Sequence, residues 1–466
     1  MNYRNEKLEE FCAYIRNKRV AIIGLGVSNV PLLGFLHELG ADITVFDKRE
    51  IEEIDKNILD IITQNDIHFS FGTNNMSKLK GFNIIFRSPS CRPDLPEIVA
   101  ELSRGAILTS EIEMLIELCP GTVIGVTGSD GKTTTTTLIY EILKQEGYSC
   151  YLGGNIGIPL FAKVGNMKPD DIVVLELSSF QLMNMKTSPK ISVVTNISPN
   201  HLDIHESYDE YIEAKKNIFK YQDKDGILVL NYDNEITRSF EKDAPGNVVF
   251  FSKKEKLHDG VILDEGIIKI CEDKLRKHIL NTSNMMLRGE HNYENACAAI
   301  AATKSLVKTE TQIDVISKFS GVEHRIEFVR EIDGVKWYND SIGTSPSRTI
   351  AGLKSFDENI ILIAGGYDKH LDYTPIAMPI IENVSDLILM GQTAGKIKKA
   401  VEEGMKKTNK TVNIYECETL EDTINMAKQV AKMGDIVLFS PASASFDLYK
   451  NFEERGNKFK NLVNAL

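Results

Sequence analysis

The sequence predicts an α/β fold in three domains, each built on a parallel sheet with helices on both faces. Three observations lead there. Apolar strand-like runs alternate with helix-period segments along the whole chain, the pattern of βα crossovers rather than of hairpins. Glycine-rich turns follow strand-like runs, as at Gly24-Leu25-Gly26 and Gly128-Ser129-Asp130-Gly131. The 466 residues, at roughly 100–200 per domain, make about three domains.

In the first block, Lys18–Ile23 reads as a strand, Ser28–Leu39 as a helix and Asp42–Phe46 as a second strand closed by Asp47. Strand, glycine turn, helix, strand and acidic residue make a Rossmann-like βαβ unit. The third glycine of that fingerprint is replaced by Asn29, so this segment alone is equally any doubly wound βα turn. A second block opens near Ile107. Its strands are Gly121–Thr127, Asp171–Leu177 and Ile191–Asn196, and its helices Lys132–Glu146, Tyr208–Tyr221 and Asn292–Leu306. Residues 223–285 read as short β pieces. A third block, again Rossmann-like, begins near Gly321 with strands Val335–Asn339, Ile360–Ala364, Asp386–Met390 and Asp435–Phe439. The expected domains are 1–108, 109–320 and 321–466.

Hydrophobic residues at 42 % and charged residues at 26 % exclude a disordered or fibrous chain. A net charge of −12 argues against a nucleic-acid binder, which carries a basic face. Anionic small molecules stay open, because local lysines and backbone amides outweigh the global sign. No stretch reaches the ~18 apolar residues of a membrane span. Met1–Glu10 is polar and lacks an apolar core, so it is no secretory signal and the expected compartment is the cytoplasm. The 7 cysteines include no Cys-x-x-Cys pair, which argues against a zinc site or a disulfide framework.

The strongest local signal is Thr127-Gly128-Ser129-Asp130-Gly131-Lys132-Thr133-Thr134, between an apolar strand and a helix. Small residues let backbone N–H groups converge on phosphate oxygens, and the helix N-terminus adds positive potential. Lys132 suits β/γ-phosphates and the Thr133 hydroxyl suits Mg²⁺. Val126 stands where the standard pattern has its first glycine, so this is a shortened phosphate loop. On these grounds a kinase, a nucleotidase and an ATP-driven ligase all stay open. Glu176 ends one apolar strand, and His201 lies just beyond another. Ligands in open α/β sheets bind at such carboxyl ends. Glu176 and His201, with phosphates and waters, suit a divalent ion.

These residues belong to a longer ordered set: Gly154-Asn155-Ile156-Gly157, Glu176-Leu177-Ser178-Ser179-Phe180-Gln181, His201-Leu202-Asp203, Gly289-Glu290-His291-Asn292-Tyr293-Glu294-Asn295, His324-Arg325, Asn339-Asp340-Ser341, Ser440–Asp447 and Lys450–Gly456. The set resembles the Mur ligase superfamily of ATP-dependent amide-forming enzymes, and within it the branch that adds D-glutamate. The resemblance covers nearly the whole chain. It implies that ATP phosphorylates the carboxylate of UDP-N-acetylmuramoyl-L-alanine and that D-glutamate attacks the acyl phosphate, a step of peptidoglycan precursor synthesis.

The resemblance also implies residue roles. Lys132, Glu176, His201 and Lys215 serve the phosphoryl transfer. Two Mg²⁺ ions are held through Thr133, Glu176, His201 and a carbamylated Lys215, which the residue pattern alone reads as a solvated helix lysine. ATP meets Gly128, Ser129, Asp130, Gly131, Lys132, Thr133, Thr134, Asn292 and Asn295, with Arg325 and Asp340 reaching it from the C-terminal domain. Gly24, Gly26, Val27, Ser28, Asp47, Lys48 and Arg49 grip the UDP part, which displaces a dinucleotide as the expected ligand, and Ser88 belongs to a further substrate loop. Asn155, Ser178 and Gln181 hold the sugar-peptide, and Thr344, Lys369, Ser445 and Phe452 hold D-glutamate. A monomer without nucleic-acid partners is expected.

Two departures stand out. Asp130 replaces a common Asn and is compatible with phosphate only if it faces solvent or caps the following helix. Ile342 stands where the family often has Lys, with Lys354 and Lys369 as candidate substitutes. Two other readings compete: a sister ligase or folylpolyglutamate synthase relative adding another amino acid, and a nucleotide-binding scaffold without ligase activity.

Overall fold

The computed structural model describes residues 4–199, 205–273, 275–287, 289–356, 358–368, 371–408 and 410–466. The chain divides into two compact units, Met1–Phe319 and Ser320–Leu466. The first unit holds two sheets and the second holds one.

The first sheet is wholly parallel, in the order β3-β2-β1-β4-β5. Its strands are β1 (Arg19–Ile23), β2 (Asp42–Asp47), β3 (His68–Phe71), β4 (Ile84–Arg87) and β5 (Ile107–Thr109). β1 and β4 are buried almost end to end, as strands covered by helices on both faces must be.

The second sheet contains β6 (Thr122–Thr127), β7 (Cys150–Gly154), β8 (Ile172–Glu176), β9 (Ile191–Val194), β10 (Ile227–Asn231), β11 (Asn247–Ser252), β12 (Gly260–Asp264), β13 (Ile267–Glu272) and β14 (Leu275–Asn281). Its order is β14-β13-β12-β11-β10-β9-β6-β8-β7. The pieces expected over 223–285 are its far half. There β12, β13 and β14 run antiparallel, so the sheet is mixed rather than purely parallel. The short turn between β12 and β13 explains the change: a parallel return needs a crossover of a dozen or more residues.

The helix Lys132–Glu146 is as the pattern predicts. The helix Tyr208–Lys216 stops short of Tyr221. Hydroxyls of Ser188 and Ser192 take the carbonyls of Asn217 (2.9 Å) and Ile218 (2.6 Å), so the carbonyls that would continue the ladder are already engaged.

The second unit carries β15 (Glu327–Ile332), β16 (Val335–Asn339), β17 (Ile360–Ala364), β18 (Val384–Leu389), β19 (Asn413–Glu416) and β20 (Ile436–Phe439). Their order is β15-β16-β20-β17-β18-β19, parallel except for the β15–β16 hairpin at one edge. Among the described residues no helix is long and apolar enough to cross a membrane.

Candidate active site

In the second sheet, β6, β8 and β9 are neighbours, so the loops at their carboxyl ends share one rim. The phosphate loop leaves β6 there. Gly131 has φ 79°, a left-handed conformation that glycine takes without steric cost. A β-carbon on it would also collide with Asn295 Oδ1. Thr135 Oγ1 lies 3.4 Å from the same oxygen, which places the helix Glu290–Thr303 against the loop.

Backbone bonds to the neighbouring strand end fix the loop. Ser129 N donates to Asn196 O (2.8 Å) and Asp130 N to Asn196 Oδ1 (2.9 Å), while the Thr195 hydroxyl donates to Asp130 O (2.5 Å). Ser129 Oγ lies 2.9 Å from Tyr211 OH and donates to Ser198 O at 2.9 Å. The Asp130 side chain is exposed, and the helix has no side-chain cap, so this departure resolves toward solvent. Lys132 Nζ donates to Gly128 O (3.0 Å) and Ser129 O (2.9 Å).

Glu176, the last residue of β8, is 2 % exposed. Its Oε1 accepts from Asn155 Nδ2 at 2.7 Å. Its Oε2 is buried without a hydrogen-bond partner among the described residues. A buried carboxylate oxygen of this kind is costly and fits a cation.

Lys215, in the last turn of the helix Tyr208–Lys216, is 1 % exposed. Its Nζ lies over the Tyr211 ring at 4.8 Å and donates to Gly128 O (2.8 Å) and Thr127 Oγ1 (3.2 Å). Burial pushes its pKa well below that of an ordinary lysine. Lys132 pushes the same way, against the pull of Glu176 and Asp130. The solvated-lysine reading of the residue pattern is therefore overturned. His201 lies outside the described residues.

At the first sheet, Asn29 explains its place in the fingerprint. Its Nδ2 donates to Ile23 O (3.1 Å) and Gly24 O (2.9 Å), stapling the turn where a dinucleotide fold uses a third glycine. Asp47 accepts from Leu25 N (2.8 Å) and from the Arg49 backbone and guanidinium (2.7–3.0 Å). Burial alone would raise the Asp47 pKa, but the bonds from Arg49 and Leu25 hold it below the usual carboxylate range. Ser88 N donates to Ile23 O (2.9 Å), and the Ser88 side chain fills the space beside Gly24. Gly24, Asp47, Arg49 and Ser88 thus form one cluster. Val27 is 79 % exposed and Lys48 is exposed beside them. Ser178 and Gln181 close a capping box at the start of the short helix Ser179–Leu182.

In the second unit, Asp340 is 4 % exposed and accepts from Ser440 Oγ (2.5 Å) and Ile326 N (3.3 Å). Burial raises its pKa to about 6, against the Ser440 bond and the positive charges of Arg325 and Arg348. His324 and Ile326 flank Arg325 with φ 63° and 46°. For a β-branched residue that is strained. Arg455 is buried and donates to Ser341 O (2.9 Å), Ser341 Oγ (3.1 Å), Ser443 O (3.1 Å) and Ala444 O (2.8 Å). It ties the Asp340–Thr344 turn to the Ser443–Ser445 turn. Ser341 Oγ also donates to Phe452 O at 2.8 Å.

Comparison with known proteins follows this division. Residues 126–303 match the Mur ligase middle domain, 324–443 the Mur ligase glutamate ligase domain, and 18–110 the Mur ligase MurD-like N-terminal domain. The UDP-N-acetylmuramoylalanine–D-glutamate ligase of Acetivibrio thermocellus is 51 % identical over 464 residues, 99 % of each chain. The chain belongs to the Mur ligase family. A Clostridium tetani enzyme of the same name is 49 % identical over 462 residues, covering 99 % of this chain and all of its own length. A crystal structure of the UDP-N-acetylmuramate–alanine ligase of Thermotoga maritima shares the fold at 17 % identity, with a TM-score of 0.53 over 96 % of this chain and 100 % of that one.

Within this Mur ligase, the structure gathers the phosphate loop, Asn155, Glu176, Lys215 and Asn295 at the middle sheet, with Asn292 one turn earlier on the same helix. It gathers Arg325, Asp340, Thr344, Ser445 and Phe452 in the second unit. Lys369 lies outside the described residues. Sequence reasoning gave no role to Arg455, although it quoted the run that contains it. It also missed Tyr211, whose signal was its place one helical turn before Lys215. It missed Arg348, which donates to Ile342 O at 3.2 Å and so puts a cation beside the position that lacks one.

Proposed function

We propose that this chain joins D-glutamate to the carboxylate of UDP-N-acetylmuramoyl-L-alanine, converting ATP to ADP and phosphate, in the synthesis of peptidoglycan precursor. Full-length likeness at about half identity to enzymes of that name carries the reading.

The chemistry follows from the substrate. A carboxylate repels nucleophiles and has no good leaving group, and transfer of the γ-phosphoryl group to it removes both obstacles. Such a transfer needs positioning and charge neutralisation more than covalent help. Gly128–Thr134 cradle the phosphates. Lys132 leaves its loop carbonyls for the β/γ-phosphates, and Asn292 and Asn295 lie on the adenine side. The Thr133 hydroxyl, Glu176 Oε2 and His201 would hold Mg²⁺, and the orphaned Glu176 oxygen supports that fit. Bound there, Mg²⁺ supplies charge neutralisation at the transferring phosphate. Lys215 in its neutral form would add CO₂ at Nζ, the N–C bond forming as one amine proton passes to water, and the resulting carbamate would offer oxygen donors to a second ion. Its burial and lowered pKa support this assignment.

Gly24, Gly26, Val27, Ser28, Asp47, Lys48 and Arg49 grip the UDP part, Ser88 belongs to a further substrate loop, and Asn155, Ser178 and Gln181 orient the sugar-peptide. Thr344, Lys369, Ser445 and Phe452 take D-glutamate, and Arg325 and Asp340 serve the nucleotide. These roles divide the chain at about residues 108 and 320. The enzyme works as a cytoplasmic monomer.

The test is phosphate release by the purified chain. It should require UDP-N-acetylmuramoyl-L-alanine and D-glutamate together. ATP hydrolysis indifferent to both would replace this reading with a nucleotide-binding scaffold.

A further inference from the structure

Arg87 ends β4 and is 1 % exposed. No carboxylate lies within ion-pair distance of it among the described residues. Its guanidinium is instead satisfied by neutral oxygens from two segments. Nη1 donates to Ser88 O (3.3 Å) and Cys91 O (2.9 Å) in its own loop. Nη2 donates to Phe180 O (2.7 Å) and Nε to Asn184 Oδ1, both after β8 in the second sheet. Glu113 acts on Arg87 only through space, so the hydrogen bonds carry most of the compensation a buried cation needs, and a planar fork of donors fixes the geometry of whatever it binds.

The far end of the same loop is held separately. Arg92 pairs with Asp94 beside it (2.7 Å) and reaches across to Glu210 (2.8 Å) and Glu206 (3.3 Å), at and before the start of the helix that carries Lys215. Glu210 Oε2 lies 3.3 Å from His205 Nδ1, and His205 Nε2 lies 2.9 Å from Ser179 Oγ. Ser179 precedes Phe180, whose carbonyl Arg87 holds. The contacts thus run round from Arg87 through Phe180, Ser179, His205, Glu210 and Arg92 and back along the loop, the His205–Glu210 step being a close approach of 3.3 Å.

We propose that Arg87 and Arg92 are positioning residues that clamp the Ser88–Cys91 loop against the Ser178–Gln181 turn, setting the spacing between the two halves of the UDP-sugar-peptide site. This rests on the ligase reading above. Arg87 binds only its own loop and the segment after β8 through its hydrogen bonds, so its loss falls first on the UDP substrate. Arg87 is specific to this role because lysine keeps the charge but cannot reach both segments at once.

The test compares Arg87→Lys, Arg92→Gln and the parent by steady-state kinetics, varying UDP-N-acetylmuramoyl-L-alanine and then ATP. Melting temperature is followed with and without the UDP substrate. Arg87→Lys should raise KM for the UDP substrate at least about tenfold and shrink the thermal shift that substrate gives, with KM for ATP within about twofold. Arg92→Gln, at a rim position with its side chain 24 % exposed, retains the fold and should raise the same KM about threefold. It carries the test where Arg87→Lys does not fold. An unmoved KM for the UDP substrate in an active protein, or the two KM values rising together, overturns the clamp alone. A parent chain inert toward UDP-N-acetylmuramoyl-L-alanine overturns the ligase reading and the clamp with it.

Discussion

The carboxamide oxygen of Asn295 occupies the space where Gly131 would carry a β-carbon. The phosphate loop and the helix Glu290–Thr303 are therefore built to each other's shape. Gly131→Ala meets two costs, the left-handed backbone at about 1–2 kcal/mol and the collision with Asn295. We expect a lower melting temperature and at least about tenfold weaker ATP binding by calorimetric titration. Asn295→Ala removes one side of the collision, so the double variant should melt higher than the sum of the single losses predicts. Strict additivity would show that the contact carries no strain.

Lys132 spends its hydrogen bonds on two loop carbonyls. These two bonds are cheap to exchange for phosphate oxygens because both carbonyls sit within one short turn. Lys132→Ala should keep the melting temperature within a few degrees and lower kcat by about 10²–10³, the usual cost of one well-aimed stabilising group. Near-normal turnover would remove Lys132 from the phosphoryl transfer.

Much of this site was legible in the sequence because strand ends are legible. An apolar run such as Ile172–Leu175 followed by Glu176 already puts that carboxylate at a sheet's carboxyl edge. The phosphate loop declares itself by glycine spacing. What composition could not give was burial reached through tertiary packing. Lys215 sits in the polar run Glu213–Asn217, and only the crowding of Tyr211, Thr127 and Gly128 around it turns a surface pattern into a buried amine. Arg87 and Arg455 were illegible for a related reason. Most of their partners are backbone carbonyls, which carry no residue identity. The antiparallel edge β12–β14 was visible as β pieces, but its direction depends on turn length, which short alternating segments leave ambiguous.

The buried amine of Lys215 leads to a separate expectation. As a carbamate donor it contributes an anion that alanine cannot replace. Lys215→Ala should lose activity by about 10²-fold or more and regain part of it when short carboxylic acids are added. The parent should show extra density on Nζ in crystals grown with bicarbonate and Mg²⁺. A bare ammonium there at full occupancy, or a variant indifferent to added carboxylic acids, would remove the carbamate.

The raised pKa of Asp340 makes a prediction about stability. Folding lifts this carboxyl from its ordinary 3.8 to about 6 because burial disfavours the charge more than the Ser440 bond and the nearby arginines favour it. The folded state therefore holds a proton that the unfolded chain has already released. The resulting stabilisation is complete below the unfolded pKa and is lost as pH rises through the folded one. Asp340→Asn keeps an acceptor for the Ser440 hydroxyl and removes the titration. Between about pH 4 and about pH 7 the parent should lose roughly 2–3 kcal/mol more than the variant, read from urea unfolding of the unit that contains this residue. Other carboxylates titrate equally in both proteins and cancel in the difference. Parallel pH profiles would mean that Asp340 is charged throughout, its burial offset by Arg325 and Arg348 more fully than the Ser440 geometry implies.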